Sequence, residues 1–170
     1  MAIDSFAIDE EMPQFYGELR RIAHLLLRRG QAGETLNTTA LVNEAWLKLA
    51  GADARFNDRQ HFFAASARAM RHILVDAARR RGASKRGGLQ VAATPADSEL
   101  AIAAQAEQVL AIEEALASLA DLDPRLTQVV ECRVFAGYSE EETAEVLGLS
   151  LRTSQRLWTR ARAWLAVAMS

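Results

Sequence analysis

The sequence predicts an all-α protein with two small helical domains joined by a flexible linker, the C-terminal domain containing a helix-turn-helix. Apolar residues recur at helical spacing in most segments, and no alternation is long enough to build a sheet. Residues 82–95 contain glycine and proline and show no periodicity. We therefore assign the first domain to residues 1–86, the linker to 87–98 and the second domain to 99–170.

Three helices are predicted in the first domain. The first covers residues 12–29, where apolar side chains recur at helical spacing. The second follows residues 35–39 and ends at Gly51. The third is the longest: Asp58 can cap its start, and it continues to about Arg81. The apolar positions expected in the core are Phe15, Leu19, Ile22, Leu26, Leu41, Val42, Ala45, Trp46, Leu49, Phe63, Ala67, Met70, Ile73, Leu74 and Ala77.

The third helix is also predicted to have a cationic side. The residues outside its apolar stripe include Arg68, Arg71, His72, Arg79 and Arg80. His61 and His72 share a helix face but lie roughly 16 Å apart along the axis, so they cannot bind one metal ion. The sequence has no glycine-rich phosphate loop after a strand and no nucleophile with a base partner. It therefore predicts no metal site, no cofactor and no enzyme.

The helix-turn-helix is predicted at residues 138–165. Ser139 and Glu142 have the spacing of a capping box at the start of its first helix. Gly148 can adopt the left-handed conformation that ends this helix. Ser150 can then cap the second helix, so a three-residue turn separates the two.

The second helix of this motif is predicted to have one packed side and one polar side. Leu157, Ala161 and Leu165 recur at four-residue spacing and should pack on helices at residues 102–122 and from Pro124 onward. The opposite side carries Arg152, Gln155, Arg156, Thr159 and Arg160. Such donors can pair with base edges in the major groove or hold phosphates. The alternative is a helical hairpin with a solvated arginine face.

Charge is distributed unevenly along the chain. The net charge of −2 argues against a free-standing DNA binder. However, residues 59–86 contain eight Arg or Lys against the single Asp76, and residues 152–164 contain four Arg and no acid. Residues 87–124 contain seven acids and no base. Two basic modules flanking an acidic connector should bind DNA weakly alone and better when a partner holds both in place.

The remaining composition favours a cytoplasmic protein. The one cysteine, Cys132, lies in the apolar run VVECRVF, which predicts a buried thiol and excludes an internal disulfide. No apolar run approaches the ~20 residues of a membrane span. The start MAIDSFAIDEE is acidic where a signal peptide is basic. We expect no membrane association.

The amino-acid sequences of two segments resemble those of extracytoplasmic-function (ECF) sigma factors, a subfamily of the sigma-70 family. DPRLTQVVECRVFAGYSEEETAEVLGLSLRTSQRLWTRARAWL, residues 123–165, resembles region 4. TLNTTALVNEAWLKLA and RFNDRQHFFAASARAMRHILVDAARRRGASKRGG resemble region 2. Two departures are Ser154, where the family usually has an aliphatic residue, and Leu157, where relatives often have Asp.

This resemblance implies a role for each segment. The polymerase-binding helix, which docks on the β′ coiled coil of core RNA polymerase, includes Leu41, Glu44, Trp46 and Leu47. The minus-10 element is captured and melted by Phe56, Asn57, Arg59, Arg68, Arg71, His72 and Arg79. The minus-35 element is read by Arg152, Thr153, Gln155, Arg156, Thr159 and Arg160. Region 4 also implies contact with the β flap. The alternative for the neighbouring Phe62 and Phe63 is a place in the core.

One further departure concerns regulation. Most members of the family have a run of acidic residues directly before the motif LVQE, which Leu41 to Glu44 match in this chain. The positions of that acidic run are occupied here by Asn37, Thr38, Thr39 and Ala40, which carry no charge. The unmodified protein should therefore bind core polymerase poorly. In this it resembles a subgroup thought to be activated by a Ser/Thr protein kinase, and Thr38 and Thr39 are the candidate phosphorylation sites. The alternatives are that one of these threonines only caps the helix, or that an anti-sigma factor exerts control.

The sequence therefore predicts a sigma factor that is monomeric when free and directs core RNA polymerase to promoter DNA. The rival is a dimeric helix-turn-helix regulator that binds an operator unaided.

Overall fold

Helices form almost all of the described part of this chain. The computed structural model describes residues 5–30, 37–51, 55–56, 58–86 and 96–170. The α-helices are α1 (Ser5–Gly30), α2 (Thr38–Ala50), α3 (Arg59–Arg86), α4 (Ala96–Leu122), α5 (Pro124–Val130), α6 (Glu140–Val146) and α7 (Leu151–Ala168). A π-helical segment, Glu131–Ala136, lies between α5 and α6. These described ranges contain no β-strand, and the all-α prediction is confirmed.

Polar side chains determine where several helices begin. The Oδ1 atom of Asn37 accepts a hydrogen bond from the Ala40 amide at 2.8 Å, which makes Asn37 the N-cap of α2. Asp58 accepts from the His61 amide at 2.7 Å at the start of α3, as the sequence predicts. The start of α5 at Pro124 also agrees with the prediction, since proline fits the first turn of a helix.

Three helix boundaries differ clearly from those predicted. α1 begins at Ser5 and not at residue 12, and Pro13 lies inside it. α3 continues beyond Arg81 to Arg86, because good helix formers follow a single glycine there and one glycine costs only about 1 kcal/mol in a helix. α4 begins at Ala96, where the segment ADSEL supplies acids that suit a helix N-terminus. The last part of the predicted linker 87–98 is therefore helical, whereas residues 87–95 lie outside the described residues.

An aromatic cluster fills the core between α1, α2 and α3. Phe62 is fully buried at its centre. The centroid of its ring lies 5.2 Å from those of Phe15 and Phe56, and 6.1 Å from that of Trp46. Tilted and edge-to-face arrangements of this kind are the favoured geometries of aromatic pairs. Most apolar positions predicted for these helices are buried in the core, and so are Phe62 and Phe63. Trp46, Leu49 and Leu74 are partly buried against the core, whereas Ala77 is half-buried and lies outside it.

The C-terminal half contributes its own buried apolar residues from α4, α5, the π-helical segment and α7. They include Leu116, Leu119, Leu126, Val129, Val130, Cys132, Phe135, Leu157 and Ala161. The thiol of Cys132 is buried as predicted, and burial raises its pKa to about 12. α7 packs against α5 and α4, so one side of α7 is fixed and the other is presented to solvent.

α3 packs against both halves of the chain. Besides α1 and α2, it contacts α4 and the π-helical segment. Arg71 is buried on this second side, and so are Val75 and Ala78, which share its helix face. The prediction that Arg71 lies outside the buried surface is wrong, because the apolar periodicity of α3 shows only the side that faces α1 and α2. The division into two domains remains a prediction.

Replacing Phe62 with alanine should lower the free energy of unfolding by about 3–5 kcal/mol, because it leaves a cavity at the centre of the aromatic cluster. Urea unfolding followed by circular dichroism measures this loss. Leu47, whose surface is 71% exposed, provides the control: Leu47→Ala should change the free energy by less than about 0.5 kcal/mol. Equal losses in the two variants would contradict the central position of Phe62.

Candidate nucleic-acid interface

The helix pair α6–α7 has the caps that the sequence predicts. The Ser139 Oγ accepts a hydrogen bond from the Glu142 amide at 3.1 Å, and the Glu142 carboxylate accepts one from the Ser139 amide at 2.7 Å. Gly148 has a φ of 63°, in the left-handed region, which lets the chain turn after α6. The Ser150 Oγ then accepts from the Thr153 amide at 3.2 Å at the start of α7. Local sequence thus determines the angle at which α7 leaves the turn.

The two sides of α7 are separated as predicted. Leu157 and Ala161 are buried, and Leu165 packs at the edge of the core. Ser154 is also buried, so the departure from an aliphatic residue there places a small side chain in the core. The exposed residues of α7 include Arg152, Gln155, Arg156, Thr159 and Arg160, whereas Thr153 is half-buried. α7 therefore presents a face rich in hydrogen-bond donors.

Two polar side chains of this face are held by neighbours. The Gln155 Nε2 donates to the Glu140 Oε2 at 2.8 Å, which links α7 to the start of α6. The Thr159 hydroxyl donates to the Gln155 carbonyl at 2.9 Å. Within the described residues, Arg152 and Arg156 have no ion-pair partner. Sequence reasoning missed the bond between Gln155 and Glu140, because no spacing rule connects Glu140 with a residue on the next helix.

The cationic side of α3 is divided between solvent and the C-terminal half. Arg59, His72 and Arg79 are exposed. Arg71 is buried, whereas the side chain of Arg68 is 50% exposed. Both pair with the carboxylate of Glu131 in the π-helical segment, with N–O distances of 2.8 Å for Arg71 and 2.7 Å for Arg68. Sequence reasoning missed Glu131, since no local pattern joins residues so far apart in the chain.

Arg71 is the most enclosed of these cations. Its side chain is only 8% exposed, and it pairs with Glu113 of α4 as well as with Glu131. The Nη2 atom also lies 3.3 Å from the Nε2 of His72. Partial burial, together with the nearby Arg71 charge, lowers the pKa of His72 below its usual value. The imidazole therefore stays neutral to lower pH than a free histidine.

The loop before α3 is only partly described. Phe56, proposed to capture an unstacked base, is buried in the aromatic cluster. The guanidinium of Arg59 lies 5.2 Å from the Phe15 ring centroid and 5.4 Å from that of Phe63. Asn57 lies outside the described residues. In this arrangement Phe56 does not present its ring to a base.

The proposed polymerase-binding residues occupy different environments on α2. Leu41 is fully buried and Trp46 is half-buried against the core. Glu44 and Leu47 are exposed. Only these two of the four present most of their side chains to a partner, which follows from the helical spacing of the buried positions.

The candidate phosphorylation sites lie at the start of the same helix. Thr38 and Thr39 are the first residues of α2, with Thr38 half-buried and Thr39 exposed. The idea that one of them caps the helix is wrong, because Asn37 supplies the capping oxygen.

No group of His, Cys, Asp or Glu side chains within the described ranges is arranged to hold a metal ion. In the same ranges, the helices include none that combines the length and apolar character of a membrane span.

Comparison with known proteins identifies the family of this chain. The model of the ECF sigma factor family matches residues 4–170. Neither a curated protein nor a solved structure matches the chain. A match over nearly the whole chain includes both the α1–α3 helices and the α6–α7 pair, and the chain therefore belongs to the ECF sigma factor family.

Proposed function

We propose that this sigma factor places α7 on the minus-35 element and α3, with the loop before it, on the minus-10 element of its promoters. The observation that carries the proposal is the exposed donor-rich face of α7. Membership of the family supports binding to core RNA polymerase and to promoter DNA. The proposal requires no cofactor, because initiation chemistry belongs to the polymerase.

The polar face of α7 suits the major groove. Arg152 and Arg156 can each donate two hydrogen bonds to a guanine, or hold a phosphate. The amide of Gln155 suits adenine, which needs one donor and one acceptor. Because Gln155 donates one of its two side-chain N–H groups to Glu140, its second side-chain N–H and its side-chain carbonyl stay available for a base.

The rival function, a dimeric operator-binding regulator, is less well supported. Its N-terminal helices would need an apolar face for dimerisation, yet α1 buries its stripe of Phe15, Leu19 and Ile22 within the chain. Run-off transcription from genomic promoters with added core polymerase separates the two. A sigma factor initiates only with core, whereas a regulator retards duplex DNA unaided as a dimer. Unaided tight operator binding without any core activation would exclude our proposal.

The first prediction concerns the recognition face. Arg152→Ala and Arg156→Ala should weaken promoter binding, by about 1–3 kcal/mol and with relaxed specificity at one position where the arginine contacts a base. Replacing an arginine that contacts only phosphate should instead weaken binding to all promoter sequences equally. It should also reduce the slope of log binding constant against log salt concentration by about 1. Binding of holoenzyme to promoter variants measures both effects.

The matched control is Arg162→Ala, which removes the same charge from α7. The Arg162 guanidinium lies over the Trp158 ring, 5.8 Å from its centroid. Wild-type promoter output in both Arg152→Ala and Arg156→Ala would show that the recognition face is misassigned.

A second prediction separates polymerase docking from folding. Leu47→Ala should lower affinity for core polymerase about tenfold or more, because burying a leucine at an interface contributes roughly 1.5–3 kcal/mol. Leu122, 55% exposed on α4, is the control, and Leu122→Ala should bind core normally. Titration of fluorescently labelled protein with core measures the affinity. If Leu47→Ala also binds normally, α2 does not dock through this side.

We further propose that phosphorylation at the start of α2 controls docking. The segment NTTA at residues 37–40 lacks the acids of most family members, so charge-assisted contacts with a basic partner are missing. A phosphate on Thr38 or Thr39 supplies about two negative charges at a helix N-terminus, where the helix dipole favours an anion. Since Thr39 is exposed and Thr38 is half-buried, Thr39 is the more accessible to a kinase.

The corresponding prediction is that Thr39→Glu raises core affinity and run-off activity above those of the unmodified protein. Thr38→Glu should act in the same direction but less, and the Thr38→Ala, Thr39→Ala double variant should stay at the unmodified level. Glutamate supplies only part of the phosphate charge, so in vitro phosphorylation should give the larger effect. Full activity of both the unmodified and the double-alanine proteins would refute regulation by phosphorylation and leave an anti-sigma factor as the alternative.

A further inference from the structure

A hydrogen bond joins the polar face of α7 to the helix before it. The Nε2 atom of Gln155 donates to the Oε2 atom of Glu140, the first residue of α6, at 2.8 Å. We call these two side chains the Glu140–Gln155 pair. Gln155 is exposed and Glu140 is half-buried. The pair therefore lies at the surface that the proposed function places on the minus-35 element.

The carboxylate of Glu140 is not used to cap α6. That role belongs to Ser139 and Glu142, which exchange the two hydrogen bonds of the capping box. Among the ion pairs formed by the described residues, none includes Glu140. Within that part of the chain, the Glu140 carboxylate is thus held by an amide and not by a cation.

The backbone on both sides holds the pair in place. The left-handed Gly148 sets the turn between the two helices, and Ser150 caps the start of α7. Ala144 of α6 and Leu157 of α7 are buried. A side chain that is supported by a packed helix pair keeps its position when a ligand arrives. The distance between Glu140 and Gln155 is therefore set before α7 meets DNA.

The carboxylate determines which end of the Gln155 amide faces it. An ionised carboxylate only accepts hydrogen bonds, so the amide nitrogen must be turned toward Glu140. One side-chain N–H is then used, and the amide can present its second N–H and its carbonyl to the groove. A glutamine without such a partner can instead turn its NH2 group outward and offer both N–H groups.

These two presentations of the amide suit different bases. In the major groove adenine exposes an acceptor, N7, and a donor, the N6 amino group, whereas guanine exposes two acceptors, N7 and O6. An amide with one N–H and one carbonyl pairs fully with adenine. Against guanine its carbonyl would meet O6, and the nearby negative charge of Glu140 adds to this repulsion. Recognition of one base can depend on such an unfavourable contact with its competitor.

We propose that Glu140 is a specificity-determining residue of minus-35 recognition, which acts through Gln155 and makes its amide select adenine against guanine. Glu140 is a positioning residue, because its carboxylate fixes the amide that meets the base. This inference rests on the proposed function, in which α7 lies in the major groove.

The test uses holoenzyme formed with an excess of core polymerase. The probe is a pool of promoters, randomised across the minus-35 element of a promoter that gives run-off product with the wild-type protein. Sequencing of the bound fraction gives the ratio of adenine to guanine preference at each position. The variants are Glu140→Ala, Gln155→Ala and the two combined. The control is Glu141→Ala, which removes the same charge from the next, exposed position of α6.

Gln155→Ala should identify the position that the amide reads, because the adenine preference falls there. Glu140→Ala should lower the adenine-to-guanine ratio at that same position by between about twofold and tenfold, the range that one net hydrogen bond supplies. In the Gln155→Ala background, Glu140→Ala should cause no further change, since a residue that acts through another has no effect once that residue is removed. Glu141→Ala should keep the wild-type ratio.

Overall affinity separates this role from a merely structural one. Glu140→Ala and Glu141→Ala each remove a negative charge near DNA, so both should bind the pool slightly more tightly. Damage to α6 would instead weaken binding to all sequences. Glu140→Gln is the conservative variant: its amide can accept from Gln155 or donate to it, so it fixes the Gln155 amide less strictly. Its ratio should lie between those of the wild type and Glu140→Ala.

Each remaining outcome would overturn the inference. An unchanged ratio in Glu140→Ala, at a position where Gln155→Ala lowers it, would do so and leave the proposed function intact. So would an equal fall in the wild-type and Gln155→Ala backgrounds, because Glu140 would then not act through Gln155. If Gln155→Ala changes the preference at no position, the pair reads no base, although α7 can still bind through its arginines. If no promoter gives run-off product with core polymerase, the proposed function itself fails and this inference fails with it.

Discussion

The buried carboxylate of Glu131 is the constraint on which the relative position of α3 and the C-terminal half depends. A carboxylate in an apolar environment requires a cation, and here it takes two, Arg68 and Arg71. This pairing fixes the side of α3 that meets the π-helical segment and α4. Apolar packing of Val75 and Ala78 on the same face then follows, since these residues share the helical phase of Arg71. Charge pairing therefore sets which faces meet.

The proposed DNA-reading surface depends on a different, local set of interactions. The capping box at Ser139 and the Ser150 cap start α6 and α7, and the left-handed Gly148 lets the chain turn between them. Leu157 and Ala161 then anchor α7 on α4 and α5. The caps act within a few residues, and α4 and α5 belong to the same half of the chain, so the polar face of α7 is oriented mainly by the C-terminal half.

Interactions between residues close together in the chain could be predicted from the sequence, whereas interactions between distant residues could not. The caps at Asp58, Ser139 and Ser150 and most buried apolar positions of α1 to α3 follow local patterns, and they were predicted correctly. The burial of Arg71 was not, because its partners lie in elements distant along the chain. The same applies to the Glu140–Gln155 hydrogen bond, whose two residues belong to different helices. The base-capture role of Phe56 rested on the family resemblance, which carries no information on its burial in this arrangement.

The surfaces proposed for the two partners differ in accessibility. On α2, Leu47 and Glu44 are exposed, whereas on α3 the Arg71 side chain is enclosed by the C-terminal half. The side of α2 proposed to meet core polymerase is therefore accessible in the same arrangement in which Arg68 and Arg71 are paired with carboxylates. A partner that binds the separated halves better than the closed arrangement shifts the equilibrium toward opening by its difference in affinity.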